Sequence, residues 1–156
     1  DVFYIPTGRV HAIGDGVLLA EIQQTSNITY RIYDYDRVDA KTGVKRELHT
    51  DLAIDAIDFN HYKNYRTEYT VTDNVSNKLV HSPYFKTNII SVSKTMDMDY
   101  SNTDSFVIYM CVEGGLELEC DGNLYSLQMG ETIVIPAIIN EIKLKATKAK
   151  LLEVYL

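Results

Sequence analysis

The clearest pattern along the chain is a two-residue alternation of apolar and polar positions in its second half. Leu116-Glu117-Leu118-Glu119 is a strict case, and a period of two puts every second side chain on one face of a strand. Strand-like runs cover residues 84–98, 105–113, 116–121, 123–127, 131–136, 141–146 and 150–155, with turn signals at Gly114-Gly115, Asp121-Gly122 and Met129-Gly130. Many short strands parted by glycine turns predict an antiparallel sandwich or jelly roll. A hairpin turning at Gly114-Gly115 would make Cys111 and Cys120 diagonal neighbours roughly 7–8 Å apart, a poor geometry for a disulfide.

The first half is less regular. Residues 2–6, 17–24 and 29–34 read as strands rich in aliphatic and aromatic side chains. Residues 36–47 are polar and carry the loop signal Lys41-Thr42-Gly43. Residues 50–59 predict a helix, with Thr50 able to cap it, Asp51 in its first turn, and Leu52, Ala53, Ala56 and Ile57 on one face. Residues 61–68 are polar and tyrosine-rich without a period, and read as a linker. A weak repeat relates Val2-Phe3-Tyr4-Ile5-Pro6 to Thr132-Ile133-Val134-Ile135-Pro136, as two copies of one β-roll would. The expected fold is all-β: a jelly roll preceded by the truncated tail of another and one short helix.

Composition narrows the function classes. The chain has 156 residues, 46% of them apolar and 24% charged, which suits a folded globular chain and not a disordered one. The net charge of −7 repels phosphate backbones, so no nucleic-acid partner is expected, and Lys63 and Arg66 among tyrosines read as a solvated linker. No apolar run reaches the ~20 residues of a membrane span, and no basic-led apolar segment opens the chain. Two cysteines are too few for a disulfide scaffold, so reduced thiols and a cytoplasmic setting are expected. Asp1 leads straight into the first expected strand, which suggests a piece of a longer protein. A truncated roll would leave open edges and apolar surface through which copies could self-associate.

Candidate chemistry lies in the first 31 residues. In Pro6-x-Gly8-x-x-His11 the proline ends a strand, the glycine permits a tight turn, and the turn presents His11 at the mouth of a roll. An imidazole there can ligate a metal; a turn histidine is also commonly bonded to a backbone carbonyl. The spacing resembles the end of the second conserved motif of cupins, which favours a ligand. Glu21 and Gln23 share one parity of their expected strand and could line a pocket. Arg31 stands between Tyr30 and Ile32 after a Ser-Asn turn. A guanidinium so placed needs an anion, either a substrate oxygen or Glu21 in an internal salt bridge.

The run IPTGRVHAIGDGVLLAEIQQTSNITYRIYDYDR is similar to the signature region of class I, zinc-dependent mannose-6-phosphate isomerases, the short bacterial form above all. Arg46-Glu47-Leu48-His49 and the helix continue the likeness, whose strong part covers about the first 60 residues. The resemblance implies a cupin fold and an aldose–ketose isomerase that interconverts mannose 6-phosphate and fructose 6-phosphate through a cis-enediol. It implies that His11 is a zinc ligand, that Arg31 and the Glu21 carboxylate are catalytic, and that Gln23, Ser26 and Asn27 line the substrate site. Asn27 stands where the family usually has aspartate, so a charged base is lost there.

The family's other zinc ligands, a Gln-x-His pair and a Glu, belong upstream of His11 and are not in this chain. At the second copy of the motif, Pro136-Ala137-Ile138-Ile139-Asn140-Glu141 has isoleucine for glycine and glutamate for histidine. The implied layout is the catalytic roll's C-terminal part with the helix over 1–60, a linker over 61–83, and a metal-free roll over 84–156. The chain alone is expected to be inactive. The alternatives are a catalytically silent cupin that binds sugar phosphates and a purely structural module.

Overall fold

The computed structural model describes residues 1–26 and 28–156. They fall into two units, Tyr4–Tyr65 and a second made of Asp1–Phe3 with Arg66–Leu156. The second unit holds the strands: β1 (Ser76–His81), β2 (Lys86–Val92), β3 (Met96–Asp99), β4 (Val107–Cys120), β5 (Asn123–Gln128), β6 (Thr132–Ile135), β7 (Glu141–Lys145) and β8 (Ala149–Tyr155). Every pairing among them is antiparallel, in the order β1-β2-β8-β4-β7-β3, with β5 and β6 also on β4. This is the all-β roll expected from the alternating pattern.

β4 organises the roll. Its first half pairs with β6 and β8, and its second half with β5 and β7. The expected hairpin at Gly114-Gly115 is therefore not formed: the chain runs on through both glycines. The signal was a bend and not a turn. The register with β8 shifts between Cys111 and Glu113, and Gly114 takes φ 72°, a conformation glycine adopts without a Cβ penalty. A Cβ there would collide with the Lys148 carbonyl. Cys111 and Cys120 are consequently nine positions apart on one strand, both unpaired and buried. Burial pushes both thiols above their ordinary pKa.

Alternate residues of these strands build the core. Ile90, Val107, Tyr109, Leu144 and Leu151 are almost wholly buried. β1 lies inside the stretch expected to be a linker, and the run 84–98 divides into β2 and β3. The lysines of β7 and β8 lie on strands paired on both sides, and they meet acids: Lys145 reaches Glu119 at 2.5 Å and Lys150 reaches Glu113 at 2.6 Å.

The unit Tyr4–Tyr65 corrects three expectations. Residues 2–6, 17–24 and 29–34 form no ladder; among the described residues up to 65 the sole β-bridge is Val38 with Lys45. A strand needs a partner to take up its backbone N–H and C=O groups, and none pairs with these segments among the described residues. The helix α1 spans Thr50–Ala56 and stops where Ile57 turns extended. Its cap position is His49 and not Thr50, with no side-chain cap. Ala53 is buried, whereas Leu52 is 56% exposed, so the expected apolar face is only partly covered within this unit.

Candidate functional site

The turn that carries His11 is closed by Arg9 N–H donating to the Pro6 carbonyl at 3.2 Å. Gly8 has φ +88°, and a Cβ there would come within 2.6 Å of the Ala56 carbonyl oxygen. The Gly8 carbonyl accepts from Asp58 N–H at 2.9 Å, so the glycine lets the turn lie against the end of α1. His11 is exposed, with Nδ1 at 3.0 Å from the Arg9 carbonyl. A carbonyl only accepts, so Nδ1 carries the hydrogen and the lone pair of a neutral ring sits at Nε2. The geometry is that of a carbonyl-bonded turn histidine, and it leaves Nε2 without a hydrogen-bond partner among the described residues.

Arg31 is half-buried and tied to His49. Its N–H donates to His49 Nδ1 at 3.1 Å, and the His49 N–H returns a bond to the Arg31 carbonyl at 2.7 Å. Its guanidinium Nη1 donates to the Glu47 carbonyl at 3.1 Å. The alternative Arg31–Glu21 salt bridge is not among the ion pairs of the described residues. Glu21 and Gln23 are exposed, and Ser26 Oγ accepts from Ile28 N–H at 3.3 Å. Asn27 lies outside the described residues. No hydrogen bond or ion pair joins His11, Glu21, Gln23, Ser26 and Arg31 to one another among the described residues. Nor do three His, Cys, Asp or Glu side chains converge there. His11 fits one position of a zinc shell, and the described residues do not complete one.

A carboxylate stiffens the loop after Arg31. Asp34 is buried and accepts from Arg37 at 2.6 Å and from Arg46, whose Nε donates at 2.7 Å. The Arg46 bond, then Arg37, hold its carboxyl well below the ordinary range. The lowered pKa makes its contribution present above about pH 4 and lost as pH falls through the folded value. Asp34→Asn should thus lower the thermal midpoint at pH 7, by an amount that shrinks as pH drops below about 4. Melting curves of variant and wild type across that range check this.

A second polar cluster lies inside the roll. Glu153 on β8 stands opposite Asn88 and Tyr109 on the flanking strands and is 2% exposed. Its Oε2 accepts from Ser76 Oγ at 2.5 Å and Asn88 Nδ2 at 2.9 Å, and its Oε1 from the Tyr100 hydroxyl at 2.5 Å. Tyr100 and Tyr109 hydroxyls are also bonded. Burial, then the neighbouring negative charge, drives both phenols far above their ordinary pKa, so they act as neutral donors.

Comparison with known proteins decides the family. The family model described as "Mannose-6-phosphate isomerase, cupin domain" matches residues 76–156, more than half of the chain. The chain belongs to this mannose-6-phosphate isomerase family. It is 33% identical over 147 residues to mannose-6-phosphate isomerase ManA of Bacillus subtilis, covering 93% of this chain and 46% of that protein. It is 31% identical over 140 residues to the mannose-6-phosphate isomerase of Streptococcus mutans, covering 89% of this chain and 43% of the other. The chain thus spans about half the length of the curated relatives it matches. The crystal structure of the mannose 6-phosphate isomerase from Bacillus subtilis superposes with a TM-score of 0.67 at 24% identity, over 81% of this chain and 40% of that one; it supports the cupin fold.

Two groups of residues in this isomerase-family chain lie outside the specified positions of the sequence motif. The Glu153 cluster was signalled by parity, since Glu153 shares a strand face with Ala149 and Leu151. Arg9 occupies an unspecified position of the motif, and Tyr62 and Tyr65 lie in the stretch read as linker. Their partnership spans more than fifty residues, so no local pattern reveals it.

Proposed function

We propose that this chain supplies the C-terminal portion of a mannose-6-phosphate isomerase, which interconverts mannose 6-phosphate and fructose 6-phosphate by proton transfer through a cis-enediol. The observation that carries the reading is His11: a motif histidine held through Nδ1, with an exposed Nε2 that has no hydrogen-bond partner among the described residues. It would hold zinc together with ligands from outside this chain. There the ion would supply Lewis-acid stabilisation of negative charge on the sugar oxygens. The exposed Glu21 carboxylate carries the proton between C2 and C1. Arg31 stabilises charge on the enediolate oxygens with the donors its Glu47 contact leaves free. Gln23, Ser26 and Asn27 bind the sugar; Asn27 offers hydrogen bonds without charge, which leaves proton transfer to Glu21.

Residues 1–60 are in this reading the end of the catalytic roll, and the strands from β1 onward are a second, structural roll. The exposure of Leu18 (91%), Ile28 (73%) and Phe59 (76%) supports a first roll whose apolar partners lie elsewhere in the polypeptide. The buried unpaired cysteines suit a reducing, cytoplasmic compartment. The test is a coupled isomerase assay with added zinc on this 156-residue chain and on the complete polypeptide. The complete polypeptide should turn over and the chain alone should not. Comparable turnover by the chain alone would overturn the divided site, and an inert complete polypeptide would favour a silent sugar-phosphate-binding cupin.

A further inference from the structure

Arg9 Nε is shut off from solvent and has no hydrogen-bond partner, the one such buried side-chain atom among the described residues. The rest of the guanidinium explains why. Nη1 donates to the Tyr4 carbonyl at 2.9 Å, and the guanidinium carbon lies 4.8 Å from the Tyr62 ring centre and 5.3 Å from that of Tyr65. The two rings meet edge to face at 5.9 Å. A cation between aromatic rings gains electrostatic attraction that offsets a lost hydrogen bond, the more so when desolvated. The Tyr62 hydroxyl donates to Asp58 Oδ2 at 2.6 Å, and the Asp58 N–H donates to the Gly8 carbonyl. Residues 8 and 9 are therefore fastened to the 58–65 segment through backbone and side chain alike.

What this fastening holds in place is the Arg9 carbonyl, the acceptor for His11 Nδ1. We infer that Arg9, stacked on Tyr62 and Tyr65 and backed by Asp58, is a positioning residue for His11: it fixes the carbonyl that orients the imidazole and leaves Nε2 as the donor nitrogen for a divalent cation. The cation half of this rests on the reading of His11 as a ligand; the orienting half does not. The hydrogen bond made by one ring nitrogen sets which nitrogen is available to a metal. Two other histidines are held in the opposite form. His49 Nδ1 accepts from Arg31 N–H, so its hydrogen is on Nε2. His81 Nε2 faces Asn88 Oδ1 at 2.8 Å, while the Asn88 amide nitrogen is turned to Ser76 and Glu153; its hydrogen is also on Nε2.

The test is long-range proton–nitrogen NMR of the complete, metal-free polypeptide with labelled histidine, at about pH 8.5, roughly two units above the ordinary imidazole pKa. His11→Ala assigns the signal. Wild-type His11 should show the Nδ1–H form, and His49 and His81 the Nε2–H form. Arg9→Met keeps a stem without charge or donors. It should move His11 toward a mixture of forms while His49 and His81 stay unchanged, which also shows that the protein is folded. Zinc affinity, measured by competition with a chromophoric chelator, should fall by about tenfold or more.

Arg9→Lys keeps a cation against the rings and should restore part of both effects. Tyr62→Phe keeps the ring, releases Asp58, and should give a smaller shift in the same direction. A wild-type His11 in the Nε2–H form overturns the inference. So does an Arg9→Met variant with His11 unchanged. A changed tautomer with unchanged zinc affinity leaves Arg9 as a positioning residue and overturns His11 as a ligand.

Discussion

Arg31→Ala in the complete polypeptide is expected to lower kcat by about 10²–10³-fold with a much smaller change in KM. The reason is where charge appears. In the proposed reaction the sugar phosphate has neutral oxygens at C1 and C2 in its ground state, and removal of the C2 proton places negative charge on them. A fixed guanidinium interacts more strongly with the enediolate than with the substrate, and only such differential binding raises kcat. Arg31 is suited to this because its backbone is locked to His49 in both directions and its Nη1 is held by the Glu47 carbonyl. Little reorganisation is left for the moment of reaction. Arg31→Lys should recover only part of the rate, because an ammonium is a point charge without the planar fork. Steady-state kinetics of both variants check this, and a kcat for Arg31→Ala equal to wild type would remove Arg31 from the reaction.

The largest expected effect on stability is in the roll. Glu153→Ala should cost about 3 kcal/mol, because the truncation strips the acceptor from three donors at once around a buried carboxylate. Ser76, Asn88 and Tyr100 all give hydrogen bonds to this one carboxylate, and the bonded Tyr100–Tyr109 pair loses its anchor. The four residues Ser76, Asn88, Tyr109 and Glu153 come from β1, β2, β4 and β8, so the cluster ties these strands into one register. Glu153→Gln preserves shape and one acceptor oxygen but turns an amide donor toward an existing donor; its cost should be about 1–2 kcal/mol. Urea unfolding followed by circular dichroism measures both. A Glu153→Ala variant within about 0.5 kcal/mol of wild type would contradict this role.

The roll was legible because an alternating strand states its own face. Leu116 and Leu118 point inward and Glu117 outward, as the period requires. The bend in β4 was misread because a glycine pair signals both a tight turn and a bulge, and the choice depends on the strands that pair alongside. β1 escapes the alternating pattern because Leu79 is the one buried residue of Ser76–His81, and Ser76 serves the interior carboxylate. The run that resembles the family signature names His11 and Arg31 as candidates from local spacing alone. The lock on Arg31 comes from His49, and that on Arg9, whose carbonyl bonds His11, from Tyr62 and Tyr65, through contacts between residues distant in sequence. The unit Tyr4–Tyr65 lacks the expected strands, since strand propensity is fulfilled only by a partner.

Conversion of mannose 6-phosphate, followed by NMR with zinc in the complete polypeptide and its His11→Ala variant, decides whether His11 serves the reaction. The wild type should form fructose 6-phosphate, and the variant should do so about a hundredfold more slowly. Equal rates in the two proteins would contradict that role and leave His11 a residue of the turn alone.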